Sequence, residues 1–348
     1  MQTKVLKVVA PVRADLAGGT ADMWPLYCMI GGAKTINVAL DLWVCVECTR
    51  EVSPVASVEI SVAGSKPVLL TTPNSSKAIG QLDPLARFPA TILSELWEQQ
   101  GLQGKMKFKI SAQAPVGSSL GGSSSLCVAL VYAFLQSTSQ LEEPGWQWKV
   151  MAWCRDVEAK YMQKPTGTQD YLAALFGGLR CYHSTLGQTT EHSYSNSVFD
   201  ELSKRAIILF SGEMHHSGRT NWEVFKAVMD DRSDVQQGMK DVCQIADEMD
   251  KELKGHCRWK EIGRLMSDDW HTRKKLFGVD TPRLDEVMRA LSTQNILGAK
   301  VCGAAAGGSI LVLCEPDRKT NFTRFCSDNR IEILPASCTL QGVSNIKA

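Results

Sequence analysis

The chain has 348 residues, with 38 basic and 37 acidic side chains, and no long run of either sign that would mark a nucleic-acid stripe or a basic membrane patch. It is long for one core, so two domains are expected. No stretch reaches the roughly 18 uncharged apolar residues of a membrane helix, the N-terminal run meets Pro11 and Arg13 before a signal-peptide core forms, and the 12 cysteines lie scattered through apolar runs as reduced thiols would. A soluble, cytoplasmic protein is expected, with no nucleic-acid or membrane partner.

The first 65 residues read as strands: "VLKVVAPV", "TINVALDLWVCVECTR" and "VASVEISVAG" are rich in β-branched residues and are separated by Gly, Pro and Ser. Cys45 and Cys48 form a C-x-x-C, but inside a strand pattern and with no second pair at zinc spacing. Ile92, Leu93 and Leu96 predict a helix from Pro84 to about Gln100, stopped by Gly101. "KMKFKISA" then alternates as a strand with one wet face. A second helix is predicted from Gly145 to about Met162, with Trp146, Val150, Trp153, Val157 and Tyr161 forming its core stripe. "RAIILFSG" at 205–212 reads as a buried strand, 221–254 and 258–292 as helical, and the last fifty residues alternate again. Strands and helices are mixed rather than strictly alternating, so the class is α+β.

Between the alternating strand and "LCVALVYAFL" lies "APVGSSLGGSSS". Such a run is a linker, a tight turn or an anion cradle. The helix that follows is apolar nearly all round and belongs in a core, so the loop is anchored rather than free. Its glycines let the backbone curl close to a ligand, and the helix's first N–H groups and its dipole favour negative charge there. A phosphate site fits, though neither a Walker A loop nor a G-x-G-x-x-G turn is present.

Three further segments carry chemistry-bearing residues. In "APVRADLAGGTAD" Arg13 precedes a Gly18-Gly19 turn and Asp22, which is either a charged surface turn or an acceptor for the hydroxyls of a polyol. In "VEAKYMQKPTGTQDYLAALFGG" Glu158 borders a buried helix face and needs a partner, either Arg155 at i,i−3 or Mg²⁺. Asp170 in the same segment opens an apolar helix as an N-cap or as a general base. In "GAKVCGAAAGGSILVLC" the small residues from Gly303 to Ser309 serve close packing or let a substrate approach the backbone.

Taken together and in this order, these segments resemble the three motifs of the GHMP kinases, and among them the sugar kinases of the D-glycero-D-manno-heptose 7-phosphate kinase branch. Arg13, Ala17, Gly18, Gly19 and Asp22 match R-x-x-x-A-G-G-x-x-D, and Gly167, Gln169 and Asp170 match G-x-Q-D, followed by an apolar helix ending at Gly177 and Gly178. The segment at 268–287 is similar to a Trp-and-basic helix before the third motif of that branch. The likeness spans nearly the whole chain. It implies a ribosomal-S5-domain-2-like N-terminal, ATP-binding lobe over 1–190 and a ferredoxin-like C-terminal lobe over 191–348. It also implies a monomer or homodimer that transfers phosphate from ATP to a sugar or sugar-phosphate hydroxyl, most simply the anomeric one. Gly117, Ser118, Ser119, Gly121, Gly122, Ser123 and Ser124 would wrap the triphosphate, and Ser123 and Glu158 would hold Mg²⁺. Asp170 would take the hydroxyl proton, with Arg13 steadying it and the transferring group. Gly18, Gly19, Asp22, Gly303 and Ala304 would meet the acceptor. "GEMHHSGRTNW" is either an ordinary loop or a source of further acceptor contacts in His215, His216 and Arg219. The sequence departs from the family pattern at Ser119 and Gly122 in the phosphate loop and at Ala305 and Ala306 in the third motif. The competing expectations are a non-catalytic sugar or nucleotide sensor and a kinase for a non-sugar acceptor such as mevalonate.

Overall fold

The protein is described here by a computed structural model over residues 5–73, 76–141, 144–212, 219–278, 281–303 and 308–346. Strand β1 (Val5–Ala17) passes through a short helix α1 (Leu26–Met29) to β2 (Ala33–Glu51), β3 (Ser57–Val62) and β4 (Val68–Leu70). Helices α2 (Ser76–Ile79) and α3 (Pro84–Gln100) precede β5 (Lys105–Ala112), and then come α4 (Gly122–Ser137), α5 (Trp146–Met162), α6 (Gln169–Phe176) and the hairpin β6 (Leu179–Thr185) and β7 (Gln188–Ser193). The second half holds α7 (Asn196–Arg205), β8 (Ala206–Phe210), α8 (Arg219–Met229), α9 (Ser233–Lys254), α10 (Trp259–Phe277) and α11 (Pro282–Ser292). It closes with β9 (Gly298–Val301), β10 (Ser309–Leu313), α12 (Lys319–Asp328), β11 (Glu332–Ile333) and β12 (Ser344–Ile346).

The first sheet runs β12-β1-β2-β5-β3-β4, with β6 and β7 attached to β2. Its 19-residue strand β2 pairs β6 through its first part and β5 through its second, and lies against β1 along most of its length. A register shift between Pro11 and Val12 marks where the ladder bends, since a proline cannot donate to it. The second sheet runs β11-β8-β10-β9, all antiparallel, which in chain order is the 4-1-3-2 pattern of a ferredoxin-like lobe. The α+β class and two-lobed architecture expected from the sequence are both present. The boundary is less tidy than a cut at residue 190: β7 keeps the first sheet going to Ser193, and β12 returns from the C-terminus to pair with β1.

Helix α4 is buried from Cys127 to Phe134, as its all-round apolar sequence requires, and packs against β1 and β2 beside α3, α5 and α6. The two long helical stretches each divide in two. Met229 ends α8 before Asp231 takes a left-handed φ of 54°, and Gly278, at φ 59°, caps α10 before Pro282 starts α11. Cys45 and Cys48 sit three apart on β2, on opposite faces, and so cannot form one chelate. Among the described residues no helix is long and apolar enough to cross a membrane.

Candidate active site

The loop between β5 and α4 takes a left-handed backbone at Gly117, Ser119 and Gly121, with φ of 74°, 60° and 78°. Two of these positions are the glycines that tolerate it; Ser119 is strained in the place where the family pattern has glycine. The curl is fixed from both sides. Arg13 donates Nη1 to the Ser119 carbonyl at 2.7 Å and its own amide to the Leu120 carbonyl at 2.9 Å, and the Ser309 amide donates to the Ser118 carbonyl at 2.9 Å. A β-carbon on Gly121 would lie 3.2 Å from Cγ of Asp170, so this glycine lets the carboxyl approach the helix start. Gly122, the other departure from the pattern, has nothing within 4 Å and is not demanded by packing.

Asp170 stands in the first turn of α6, not at its N-cap. The capping is done instead by Asp22, whose Oδ2 accepts the amides of Thr168 at 2.6 Å and Gln169 at 2.8 Å. Gly167 makes room for it: a β-carbon there would sit 2.5 Å from the same oxygen. Burial pushes the Asp22 carboxyl up to about 6; the two amides hold it down, and the charge of Asp170 adds to the rise. Asp170 keeps 25% of its side chain exposed, and its Oδ1 accepts Arg13 Nε at 2.7 Å. No hydrogen bond among the described residues engages its Oδ2. Arg13 is buried, and although burial opposes its charge, Asp170 and Asp15 hold it above its ordinary basicity.

Glu158 does not pair with Arg155, which turns to Asp156 at 2.8 Å. Its helix aims it at the start of α4, where it accepts Ser123 Oγ at 2.8 Å, Ser124 Oγ at 3.1 Å and the Tyr171 hydroxyl. Burial raises its carboxyl above the ordinary range; Tyr171 and Ser123 oppose that, and Asp170 reinforces it. A buried carboxylate beside two hydroxyl oxygens, with no cation against it among the described residues, is a donor set that fits a hard divalent ion.

The third small-residue segment packs on the loop between β5 and α4. β-Carbons on Gly303 and Gly308 would each lie 2.7 Å from the Ser119 and Ser118 carbonyls respectively, and one on Gly18 would lie 1.9 Å from the Lys34 carbonyl. Close packing therefore accounts for these glycines. Ala304, Ala305, Ala306, His215 and His216 lie outside the described residues, as does the side chain of Arg219, the first residue of α8. The structure also brings in residues that lie inside the quoted segments but were given no role there: Tyr171 on Glu158, and a buried group of Asp15, Asp269, Arg273 and Lys300 beneath the Gly18-Gly19 turn. The one signal for Asp15 was a carboxylate two residues after Arg13 in the mostly apolar strand β1.

Family models for the GHMP kinases N terminal domain and the GHMP kinases C terminal domain match residues 87–178 and 253–329. The chain is 22% identical to the D-glycero-alpha-D-manno-heptose 7-phosphate kinase of Campylobacter jejuni, over 98% of this chain and 99% of that one. The crystal structure of a D-glycero-D-manno-heptose 1-phosphate kinase from Bacteroides thetaiotaomicron superposes with a TM-score of 0.76 at 20% identity, covering 99% of both chains. Lactococcus lactis galactokinase complexed with galactose gives 0.78 at 13% identity, over 99% of this chain and 95% of that one. Matched by both family models and aligned over nearly its whole length with a heptose 7-phosphate kinase, the chain belongs to the GHMP kinases.

Proposed function

We propose that the protein transfers the γ-phosphoryl group of ATP to a hydroxyl of a sugar or sugar phosphate, the anomeric hydroxyl being the preferred acceptor. The observation that carries this reading is the Arg13–Asp170 pair, 2.7 Å apart and set against Gly121 at the N-terminus of α4. The backbone of Gly117 to Ser124, with the α4 dipole behind it, suits the triphosphate. Asp170, with Oδ1 tied to Arg13 and Oδ2 unengaged, takes the proton of the attacking hydroxyl. Arg13 orients that carboxylate and places positive charge beside the transferring group. Glu158 and Ser123 would hold Mg²⁺, which when bound neutralises charge on the phosphates. Gly18, Gly19 and Asp22 form the turn that the acceptor meets. The sugar preference rests on the A-G-G-x-x-D and G-x-Q-D segments, which resemble the motifs of the sugar-kinase branch, and on 22% identity along nearly the whole chain to a heptose 7-phosphate kinase. All 12 cysteines are free thiols, which supports a reducing, cytoplasmic setting.

The test is ADP release from ATP and Mg²⁺ across hexoses, heptoses and their phosphates, with the product's phosphate position read by ³¹P NMR. Transfer to a sugar is expected. Thermal stabilisation by a sugar without release of ADP would establish a sensor instead, and transfer to mevalonate alone would move the acceptor outside the sugars.

A further inference from the structure

Beneath the Gly18-Gly19 turn lies a group of charges that phosphoryl transfer does not use. Asp15, Asp269, Lys300 and Arg273 are buried to 1% exposure or less. Lys300 Nζ lies 2.9 Å from Asp15 Oδ2 and 2.5 Å from Asp269 Oδ2. Asp269 Oδ1 accepts the Gly18 amide at 3.0 Å, and Asp15 Oδ1 accepts the Gly303 amide at 2.8 Å. Arg273, on α10, joins these ends: Nη1 lies 3.4 Å from Asp15 Oδ2, while Nη2 donates to Thr20 Oγ1 at 3.2 Å and to the Gly303 carbonyl. The Phe277 ring, 5.2 Å from the guanidinium carbon, backs it.

The two acids and two bases balance in charge, so a second ammonium would satisfy Coulomb's law as well as Arg273 does. What a guanidinium adds is a planar fork that fixes two acceptors relative to each other. One of these acceptors needs fixing. Thr20 is a β-branched residue held at φ 78°, a conformation that persists only where neighbours impose it. Its hydroxyl is clamped by Arg273 and by Asn221 Oδ1, at 3.0 Å. Gly19 leaves the guanidinium its space, for a β-carbon there would lie 3.3 Å from Nη1.

We infer that Arg273 is a positioning residue for the acceptor turn: its fork locks the strained Gly18–Thr20 backbone against Gly303 and thereby sets where that turn stands relative to Asp170. The inference rests on the kinase reading for its effect on turnover, but the anchoring itself can be measured separately.

The test is Arg273→Lys, which keeps the charge and loses the fork, beside Thr20→Val, which leaves the charged group intact and replaces the hydroxyl by a methyl group. Expected in both is an acceptor KM raised by about tenfold, with the KM for ATP changed less than about twofold. Amide exchange should quicken in the peptide covering 16–22 while α4 stays protected. Unchanged exchange at 16–22 in both variants overturns the inference. So does a lowered melting temperature with both KM values intact, which would make Arg273 a structural residue only. If the wild type phosphorylates no sugar, the kinase reading fails, and exchange at 16–22 still decides the anchor.

Discussion

Asp22 offers a test in which stability and function should move in opposite directions. Its carboxyl is raised from 3.8 to about 6 because burial outweighs the two amides it caps. A carboxyl whose folded value lies above its unfolded one stabilises the protein below the unfolded value and loses that contribution as pH rises through the folded one. For a rise of about two units the full difference is about 3 kcal/mol, of which about 1.4 kcal/mol falls between pH 5 and pH 8. Asp22→Asn keeps an oxygen to accept the Thr168 and Gln169 amides but carries no charge. At pH 8 it should therefore unfold at higher denaturant than the wild type, and the wild type's loss of about 1.4 kcal/mol between pH 5 and pH 8 should shrink in the variant. Asp22→Ala leaves two buried amides unpaired and should cost about 2 kcal/mol or more. The assay is urea denaturation followed by circular dichroism at both pH values, with the slope m checked for constancy. If Asp22→Asn loses as much as Asp22→Ala at pH 8, the charge is a net stabiliser and the burial reasoning is wrong. Acceptor kinetics complete the test: a stabilised Asp22→Asn with a raised acceptor KM identifies the ionised carboxylate as kept for the substrate rather than for the fold.

Asp170→Asn should lower kcat by about 10²- to 10⁴-fold while ATP still binds by calorimetry, and near-normal turnover removes Asp170 from the role of base. Ser123→Ala should raise the Mg²⁺ concentration for half-maximal rate; an unaltered requirement counts against its place on the ion. Gly303→Ala would bring a β-carbon to 2.7 Å from the Ser119 carbonyl, at a φ of 65°, and so displace the acceptor of Arg13 Nη1. A loss of about 1–3 kcal/mol in thermal denaturation and a fall in kcat/KM for ATP are expected, and a fully active, stable variant would show the loop to be more yielding than it looks.

What the sequence disclosed depended on how local each signal was. Helix α4 was legible because apolar residues on every side leave no face for solvent. Arg13, Asp170 and the phosphate loop were legible through motif spacing, and the Arg13–Asp170 contact follows it across 157 positions. The i,i−3 option for Glu158 treated α5 as an isolated helix. In the fold its buried face meets α4, and the hydroxyls of Ser123 and Ser124 take the carboxylate that Arg155 was a candidate for. The four buried charges lie inside segments that the resemblance had marked, Asp269 and Arg273 in 268–287 among them, but nothing in those segments showed that they meet. Arg273 is separated from Asp15 by 258 positions and Asp269 from Gly18 by 251, and on an amphipathic helix both residues read as part of the wet face. Periodicity identifies which residues share a face but not what will cover it, so buried charges that meet only in the tertiary structure escape it.

The electrostatics of α6 bear on the implied metal. Its start is met by three carboxyl groups: Asp22 on the amides of Thr168 and Gln169, Asp170 within the first turn, and Glu158 on the hydroxyl of Tyr171. Against them stands Arg13, which also answers to Asp15, while the remaining buried bases, Arg273 and Lys300, are balanced by Asp15 and Asp269. The consequence is visible in two of the acids, since the charge of Asp170 contributes to the raised carboxyls of both Asp22 and Glu158. If this is where the nucleotide binds, as proposed above, the surplus negative charge repels it unless a cation comes with it. The oxygen donors of Glu158 and Ser123 stand where such a cation would relieve that surplus. On the kinase reading proposed above, this charge balance favours nucleotide and divalent ion binding together over nucleotide alone.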